Sequence, residues 1–455
     1  LEGLLDTLTD AKEYGSILNV ESYNWDLLRR FVGGIDDEVQ ISLESAGVEE
    51  TAEQLKQLVE QGEVMAQKYW VTVTNPPYAG MSKMNAKLNS FVQDNYADYK
   101  SDMFSAFVVK CSTMTRTNGY CAFLTPYVWM FIQSYEKMRN YLYANTTIET
   151  LIQFEYSAFE EATVPICTFA FRKGYIAKKG CYLRLTDFRG GMEVQRQKTL
   201  EAINNHNCGY YFEQYSDNFA KIPGSPVAYW VSEKFTNMYK QTSIAQIATT
   251  REGMTTADND QFVRLWEEVN SEHIAFGCTT SFEAQKTNRR WFPYAKGGDF
   301  RKWYGNSWYV VDWQDDGWRI RNFKDEKTGR IRSHNYNLEY IFRECLSWTR
   351  VTSGNFCIRY YPKGYLCDTA GAGLFVEKDR MFLLGWLSTN IVNQMLQIQN
   401  PTIVVQAGDV ARIPVPEKKN NKQDIENLVE DNISISKEDW DSFETSWDFK
   451  VHPLV

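Results

Sequence analysis

The stretch YWVTVTNPPY, residues 69–78, decides our interpretation of the fold. Aromatic and β-branched residues fill positions 69–74, a composition that predicts a buried β-strand. The strand has to end at Asn75, because Pro76 and Pro77 offer no backbone N–H to a ladder and force the chain into a fixed extended turn. The stretch therefore predicts a strand that stops abruptly in a stiff turn.

The segments around this stretch alternate between helical and strand patterns. Helices are predicted at residues 50–68, 102–115 and 127–143, and further strands at residues 119–125, 147–154 and 164–171. Strands that alternate with helices at these lengths indicate an open, largely parallel α/β sheet. Ligand sites of such sheets lie beyond the carboxyl ends of the strands, and Asn75 falls at such an end.

The length of 455 residues predicts two or more domains. The pattern becomes irregular after Arg172, and short strands, glycine turns and aromatic residues follow later in the chain. Helices are expected near residues 380–399 and 423–432. We expect a first domain at residues 1–175, a spacer at 176–241, a second, mixed α/β domain at 242–416 and a charged tail at 417–455.

Several classes of protein are disfavoured by composition. No apolar run approaches the roughly 18 residues that span a membrane, and the start lacks the features of a signal peptide, so we expect a cytoplasmic protein. The nine cysteines contain no C-x-x-C pair and the four histidines lie far apart, so we expect no metal site. The chain starts at Leu1, and Leu4, Leu5 and Leu8 already follow a helical pattern, which suggests that the sequence opens inside a larger protein.

Charge is distributed unevenly along a chain whose net charge is −9. Residues 286–332 hold twelve Lys or Arg against six Asp or Glu, a balance of +6, whereas residues 417–450 hold five against ten, a balance of −5. The basic stretch also contains Trp291, Trp303, Trp308, Trp313 and Trp318. Core packing explains such tryptophans, and so does a surface that grips phosphates and stacks on bases, so both interpretations stay open.

The turn at residues 75–78 combines groups suited to one kind of chemistry. The side-chain oxygen of Asn75 and the backbone carbonyl of Pro76 each accept an N–H, which draws a delocalised amine such as that of adenine toward tetrahedral geometry. Tyr78 supplies a flat face on which a base extruded from a duplex could stack. The simpler alternative is a β-turn after a strand.

Several motifs resemble the amino-methyltransferase family, most closely the PglX methyltransferases of bacteriophage-exclusion (BREX) defence systems. They lie at residues 73–78, 84–88, 101–104, 291–298, 301–305, 359–364 and 446–449. The resemblance implies a partial Rossmann-like methyltransferase sheet followed by a mixed α/β target-recognition domain. It implies transfer of a methyl group from S-adenosylmethionine to adenine-N6 at a specific DNA site, with Asn75, Pro76, Pro77 and Tyr78 as the catalytic motif.

The resemblance also implies partners and contact residues. The partners are double-stranded DNA with a flipped adenine and other phage-defence proteins. The basic segment and a second segment that resembles the recognition region supply candidate DNA contacts, each of which could instead be an ordinary surface residue. These candidates are Arg289, Arg290, Lys296, Arg301, Lys302, Thr255, Asp260, Phe262 and Arg264.

The sequence departs from the family pattern because no glycine-rich cofactor loop precedes Asn75, and we expect that loop upstream of Leu1. Residues 31–34 lack a preceding strand and are interpreted as a plain turn. Residues 368–373 resemble the loop of methyltransferases with permuted motif order, but they follow a poor central strand and are interpreted as a turn of the recognition domain.

The sequence is compatible with other functions. One alternative is the methyltransferase part of a fused restriction–modification enzyme with a nuclease upstream. Related turns also occur in methyltransferases that act on protein glutamine or ribosomal RNA. For the isolated fragment, which we expect to be inactive, the alternative is a DNA-binding or assembly module.

Overall fold

The computed structural model describes residues 1–37, 46–156, 164–335, 337–400, 402–417, 421–452 and 454. The chain divides into two compact units, Leu1–Val231 and Ser232–Val455. Each has its own sheets and hydrophobic core. None of the helices in the described ranges has the length and apolar character required to cross a bilayer.

The first unit contains eight helices and six strands in its described residues. In chain order they are α1 (Glu2–Leu8), α2 (Ala11–Tyr14), α3 (Trp25–Asp37), α4 (Ala46–Ala66), β1 (Tyr69–Thr74), α5 (Ala86–Asn95), α6 (Met103–Met114), β2 (Thr115–Pro126), α7 (Glu136–Asn145), β3 (Thr146–Gln153), β4 (Ile166–Lys173), β5 (Gly180–Arg184), α8 (Gly191–Asn204) and β6 (Tyr211–Gln214). The strands predicted around the motif are all present, whereas residues 127–135 form 3₁₀ turns before α7.

The six strands form one mixed sheet in the order β1-β2-β4-β3-β5-β6. The β1/β2 and β3/β5 pairs are parallel, whereas the β2/β4, β3/β4 and β5/β6 pairs are antiparallel. The α/β class is confirmed, but the prediction of a largely parallel sheet was wrong. The cause is β4, which runs opposite to both of its neighbours in the middle of the sheet.

Strand β1 lies at an edge of this sheet. Trp70, Val71 and Val73 are 59%, 60% and 69% exposed, so the prediction of a buried strand was wrong. Hydrophobic composition identified the strand, but the burial of its side chains depends on what packs over each face of the sheet, and at this edge β1 pairs only with β2 within the described residues. An apolar edge of this kind is a surface that proteins usually cover.

Residues 176–241 do not form the predicted spacer. Strand β5 pairs with β3, and β6 pairs with β5, so this segment completes the first sheet. Its inward side chains, including Leu183, Leu185 and Tyr210, build a small core together with Phe154 and Ile166. The boundary between the units lies at Val231, well after the predicted end of the first domain at residue 175.

The second unit contains shorter elements. They are α9 (Glu233–Met238), β7 (Thr249–Arg251), α10 (Asn259–Phe262), β8 (Val263–Leu265), α11 (Ser281–Lys286), β9 (Trp291–Ala295), β10 (Tyr309–Asp312), α12 (Gln314–Arg321), β11 (Cys345–Trp348), β12 (Ile358–Tyr361), β13 (Leu366–Cys367), β14 (Gly373–Phe375), α13 (Arg380–Leu387), α14 (Asn390–Gln399), α15 (Ala407–Ala411) and α16 (Lys422–Asp441). Two four-stranded sheets have the orders β13-β9-β10-β8 and β12-β11-β14-β7.

Two predictions for the end of the chain need correction. The helix expected at residues 380–399 is two helices, because Thr389 caps the start of α14 by accepting a hydrogen bond from the backbone N–H of Val392. The charged tail is dominated by α16, which packs on α13 and buries Val429 in the core of the second unit. Residues 418–420, 453 and 455 of the predicted tail lie outside the described residues.

Candidate functional site

The motif at residues 75–78 leaves the sheet at the carboxyl end of two parallel strands. Thr74 of β1 is paired with Phe123 of β2, so the chain turns away next to the end of β2 as well. Asn75 and Pro77 are exposed, Pro76 is buried and Tyr78 is half-buried. The abrupt strand end predicted from the two prolines is therefore present, and it presents the Asn75 amide to solvent.

Tyr78 positions the Asn75 side chain. Its hydroxyl lies 2.7 Å from Oδ1 of Asn75 and 3.0 Å from the carbonyl oxygen of Leu124. Burial raises the pKa of Tyr78 to about 12, with a smaller contribution from the Cys167 thiol, so the hydroxyl is protonated and donates at neutral pH. An amide oxygen has two lone pairs, so Oδ1 of Asn75 keeps one acceptor site besides the bond from Tyr78.

The Tyr78 ring is itself held in place by the core. It meets Phe104 edge to face, with ring centroids 6.4 Å apart and an interplanar angle of 89°. Phe104 in turn stacks on Tyr135 at 5.3 Å. Such aromatic contacts fix the ring direction, and the hydroxyl direction follows from it. The predicted stacking of a base on Tyr78 remains a prediction.

Asp102 anchors the chain that follows the motif. Its Oδ1 accepts the backbone N–H of Ala79 at 3.0 Å and that of Phe104 at 3.2 Å, and the second bond caps the start of α6. The backbone N–H of Met103 donates back to the Ala79 carbonyl at 3.0 Å. Burial raises the pKa of the Asp102 carboxyl, although these backbone donors oppose the shift. An aspartate just before a helix is a capping signal that the sequence carried and our prediction did not use.

Phe262 is a core residue, and its burial argues against the DNA contact predicted for it. Its side chain is 1% exposed and belongs to a core cluster of the second unit. The ring packs at 80° against Phe323, with centroids 5.2 Å apart. The helix α10 ends at this residue and turns it inward. The nearby Thr255 is half-buried, and its backbone exchanges hydrogen bonds of 2.8 and 3.1 Å with that of His334.

Arg301 and Lys302 have structural partners. Nε of Arg301 donates to the Tyr304 carbonyl at 3.0 Å, and its guanidinium forms an ion pair with Asp439 of α16. Nζ of Lys302 donates to the Ser388 carbonyl at 2.7 Å. These bonds tie α16 and the end of α13 to the segment that precedes β10.

The side chains of other predicted DNA-contact residues are more exposed to solvent. One of them, Arg290, belongs to a cluster that the sequence did not reveal. Arg289 is exposed, and burial lowers the pKa of the half-buried Lys296. Arg290 forms an ion pair with the buried Asp312 at 2.9 Å, and Arg319 pairs with the same carboxylate. No sequence spacing links these three residues, because they come from different elements.

The tryptophans of the basic stretch have different environments. Trp291 and Trp313 are 6% and 1% exposed and serve as core residues. Trp318, in contrast, is 64% exposed. Core packing thus explains the first two, and the alternative interpretation stays open for Trp318.

Neither glycine segment singled out by the sequence fits a cofactor loop. Residues 33 and 34 lie inside α3. In the segment 368–373, the Asp368 carboxylate is used internally, because it accepts the Tyr294 hydroxyl at 2.6 Å and the Ala370 N–H at 2.7 Å. A Cβ on Gly371 would lie 2.5 Å from the Ala295 carbonyl oxygen, so this glycine serves close backbone packing. We therefore assign no residue of this chain to S-adenosylmethionine.

Comparison with known proteins agrees with the motifs. Residues 20–159 match the family described as Eco57I restriction-modification methylase. The chain is 37% identical over 469 aligned residues to the adenine-specific methyltransferase PglX of Lacticaseibacillus casei (strain Zhang), and 31% identical over 465 to the adenine-specific methyltransferase BrxX of Escherichia coli O9:H4 (strain HS). These alignments cover 100% and 99% of this chain, but 38% and 36% of the two relatives.

A solved structure supports the fold. The type IIL restriction-modification enzyme MmeI, determined in complex with DNA, superposes with a TM-score of 0.52 at 12% sequence identity. The superposition covers 86% of this chain and 52% of that protein. The resemblance inferred from the motifs is confirmed: the chain is a relative of the adenine-specific methyltransferases PglX and BrxX, homologous over its whole length to a part of each.

Proposed function

We propose that this chain is the amine-presenting and DNA-recognition part of a site-specific DNA adenine-N6 methyltransferase that marks host DNA in phage defence. The observation that supports the proposal is the exposed Asn75, whose side chain is oriented by Tyr78 at the carboxyl end of β1. This motif lies in a chain that is similar over its length to adenine-specific methyltransferases. S-adenosylmethionine supplies the methyl group when it is bound by another part of the longer protein.

The proposed chemistry uses acceptors on this chain. Oδ1 of Asn75 and the carbonyl of Pro76 each accept one N–H of the adenine amine, which localises the nitrogen lone pair for attack on a methyl group. The hydroxyl bond from Tyr78 keeps the Asn75 oxygen facing the amine. Because the groups are fixed before the base arrives, little reorganisation is needed in the transition state.

The exposed edge of β1 supports a partial Rossmann-like sheet. Val71 and Val73 on one face of β1, and Trp70 on the other, expose apolar side chains that need a cover, and unpaired backbone groups at the edge can pair with a further strand. We propose that a segment upstream of Leu1 adds strands there and carries the glycine-rich cofactor loop. The share of the relatives that the chain spans, 38% and 36%, is in keeping with such a segment.

We propose that the second unit is the target-recognition domain and binds double-stranded DNA from which the adenine is flipped. Its support is the set of exposed cations in the basic stretch, because such side chains neutralise phosphates. These are Lys286, Arg289, Arg319, Arg321, Lys324, Lys327, Arg330 and Arg332. Other phage-defence proteins are proposed partners of the longer protein, with the cytoplasm as its location.

Mapping of methylated adenine in host DNA tests the proposed function. Cells that express the full-length protein should carry N6-methyladenine at one short sequence, and Asn75→Ala should remove these marks because the amine loses its side-chain acceptor. Asn204→Ala, which changes an exposed asparagine at the end of α8, is the matched control and should leave the marks in place. Marks that persist in Asn75→Ala would refute the proposal.

For the chain in isolation, the open β1 edge favours a second candidate, a DNA-binding module without activity of its own. Calorimetric titration of the isolated chain with S-adenosylmethionine tests both, because each places the cofactor site outside this chain. The proposal predicts no heat of binding, and tight binding would show that the chain contains a complete cofactor site.

A further inference from the structure

A buried carboxylate in the second unit holds two arginines. Asp312 ends β10, and its side chain is 1% exposed. Its Oδ2 accepts Nε of Arg290 at 2.9 Å and lies 2.9 Å from a terminal nitrogen of the same guanidinium. Arg319 pairs with the same oxygen, and both arginine side chains are 42% exposed. Two half-exposed guanidiniums therefore lie side by side on one fixed anion.

Aromatic rings pack against the guanidinium groups of this site. The guanidinium carbon of Arg290 lies 4.9 Å from the centroid of the buried Trp291 ring, and that of Arg264 lies 5.9 Å from the same centroid. Arg319 lies over Phe262 at 5.8 Å. We call Arg264, Arg290, Arg319 and Asp312 the arginine cluster. With three positive charges and one negative charge, it has a net charge of about +2.

A strained turn brings Arg319 to Asp312. Asp315, Asp316 and Gly317 have φ values of 51°, 56° and 70°, in the left-handed region that glycine favours and that, among other residues, mainly Asp and Asn adopt. Such conformations persist where the surroundings over-determine them, and they concentrate at functional sites. The same turn leaves Trp318 64% exposed next to Arg319.

The hydrogen-bond geometry leaves donors of Arg290 free to act outward. A guanidinium has five N–H donors, and Arg290 turns the edge formed by Nε and one terminal nitrogen toward Asp312. The adjacent edge, formed by the two terminal nitrogens, has the fork geometry that bonds two acceptors at once. Guanine presents such a pair, O6 and N7, in the major groove.

The cluster is better suited to a base than to a phosphate. Asp312 cancels one positive charge and is itself buried, which weakens simple attraction to a phosphate, while it fixes the direction of both guanidiniums. Recognition of a base edge requires donors that point in a fixed direction, whereas a phosphate contact mainly requires a positive charge. We propose that Arg290, with Arg319 beside it, reads a guanine of the target DNA, and that Asp312 is their positioning residue. This inference rests on the proposed recognition of DNA by the second unit.

Selection of duplexes from a random pool by the full-length protein tests this inference. The wild type should enrich one motif that contains a G·C pair, and Arg290→Lys should lose discrimination at that pair by about 10- to 100-fold. Lysine keeps the positive charge and its pairing with Asp312 but lacks the fork, so affinity for non-specific DNA and its salt dependence should not change. Arg319→Lys should weaken discrimination at the same pair or an adjacent one.

The matched control is Arg412→Lys. Arg412 is 31% exposed and bonds the 6% exposed Asp409 at 2.7 Å, also in the second unit. This variant should enrich the wild-type motif, and relaxation at the same base pair would show an indirect effect and overturn the inference. Asp312→Asn should reproduce the relaxed motif, and its thermal unfolding is measured alongside because removal of a buried anion can destabilise the unit.

Two other outcomes overturn the inference. An unchanged motif in Arg290→Lys and Arg319→Lys with unchanged binding would mean that neither side chain reads a base, and an unchanged motif with weaker overall binding would mean that they support DNA binding without reading the sequence. The selection measures binding and not methyl transfer. The role of Arg290 in base recognition can therefore be judged separately, even if Asn75→Ala retains methylation and the proposed function fails.

Discussion

Removal of the Tyr78 hydroxyl, in Tyr78→Phe, should slow methyl transfer without weakening DNA binding. The hydroxyl donates to Oδ1 of Asn75 at 2.7 Å, and the phenyl ring keeps the contact with Phe104. A neutral hydrogen bond of this type contributes about 0.5–1.5 kcal/mol. If that free energy orients the acceptor in the transition state, kcat falls by roughly 2- to 12-fold.

The assay is steady-state transfer of labelled methyl groups by the full-length protein to a duplex that contains its site. The KM for DNA should stay constant, because the hydroxyl bonds Asn75 and Leu124 and not the base. Tyr141→Phe removes a hydroxyl that bonds Ser112 at 3.0 Å elsewhere in the first unit, and it should leave kcat unchanged. The reasoning is refuted if Tyr78→Phe keeps the wild-type kcat, or if it is as inactive as Asn75→Ala.

Three further predictions concern stability, each measured by urea unfolding of this chain. Asp102→Ala should lower the free energy of unfolding by about 1–2 kcal/mol, because α6 loses its cap, and an unchanged value would contradict this role. Gly317→Ala should cost about 1–3 kcal/mol, because its Cβ would lie 2.5 Å from the Trp313 ring; Gly329→Ala, also at positive φ but with open space around it, should cost less. Burial lowers the pKa of Lys110 to about 8 from 10.5, so the folded state binds this proton less tightly than the unfolded state. The free energy of unfolding should therefore rise between these pH values in the wild type relative to Lys110→Met, and parallel pH profiles would contradict the shift.

The sequence was sufficient to predict the end of β1 and the helix α6, because prolines and apolar periodicity act locally. It did not reveal that β4 runs antiparallel between β2 and β3. Strand direction depends on the connection, and the prediction had no helix between β3 and β4. A connection without a helix suits an antiparallel pair, so this signal could have corrected the prediction.

Exposure was harder to predict than secondary structure. Strand β1 has the composition of a buried strand, but it is an edge strand of the described sheet and its apolar side chains are exposed. Phe262 was taken for a surface residue, although it is the last residue of a short helix that turns it into the core. The pairing of Asp312 with two arginines arises from the three-dimensional packing of separate elements, and no local pattern encodes it.

The central claim is that this chain presents an adenine amine for methylation in the longer protein. The most direct test is incubation of the purified full-length protein with labelled S-adenosylmethionine and duplex DNA, followed by mass spectrometry of the nucleosides. The claim predicts label in N6-methyladenine at one sequence, and its loss in Asn75→Ala. Label in cytosine, RNA or protein, or undiminished label in adenine with Asn75→Ala, would contradict it.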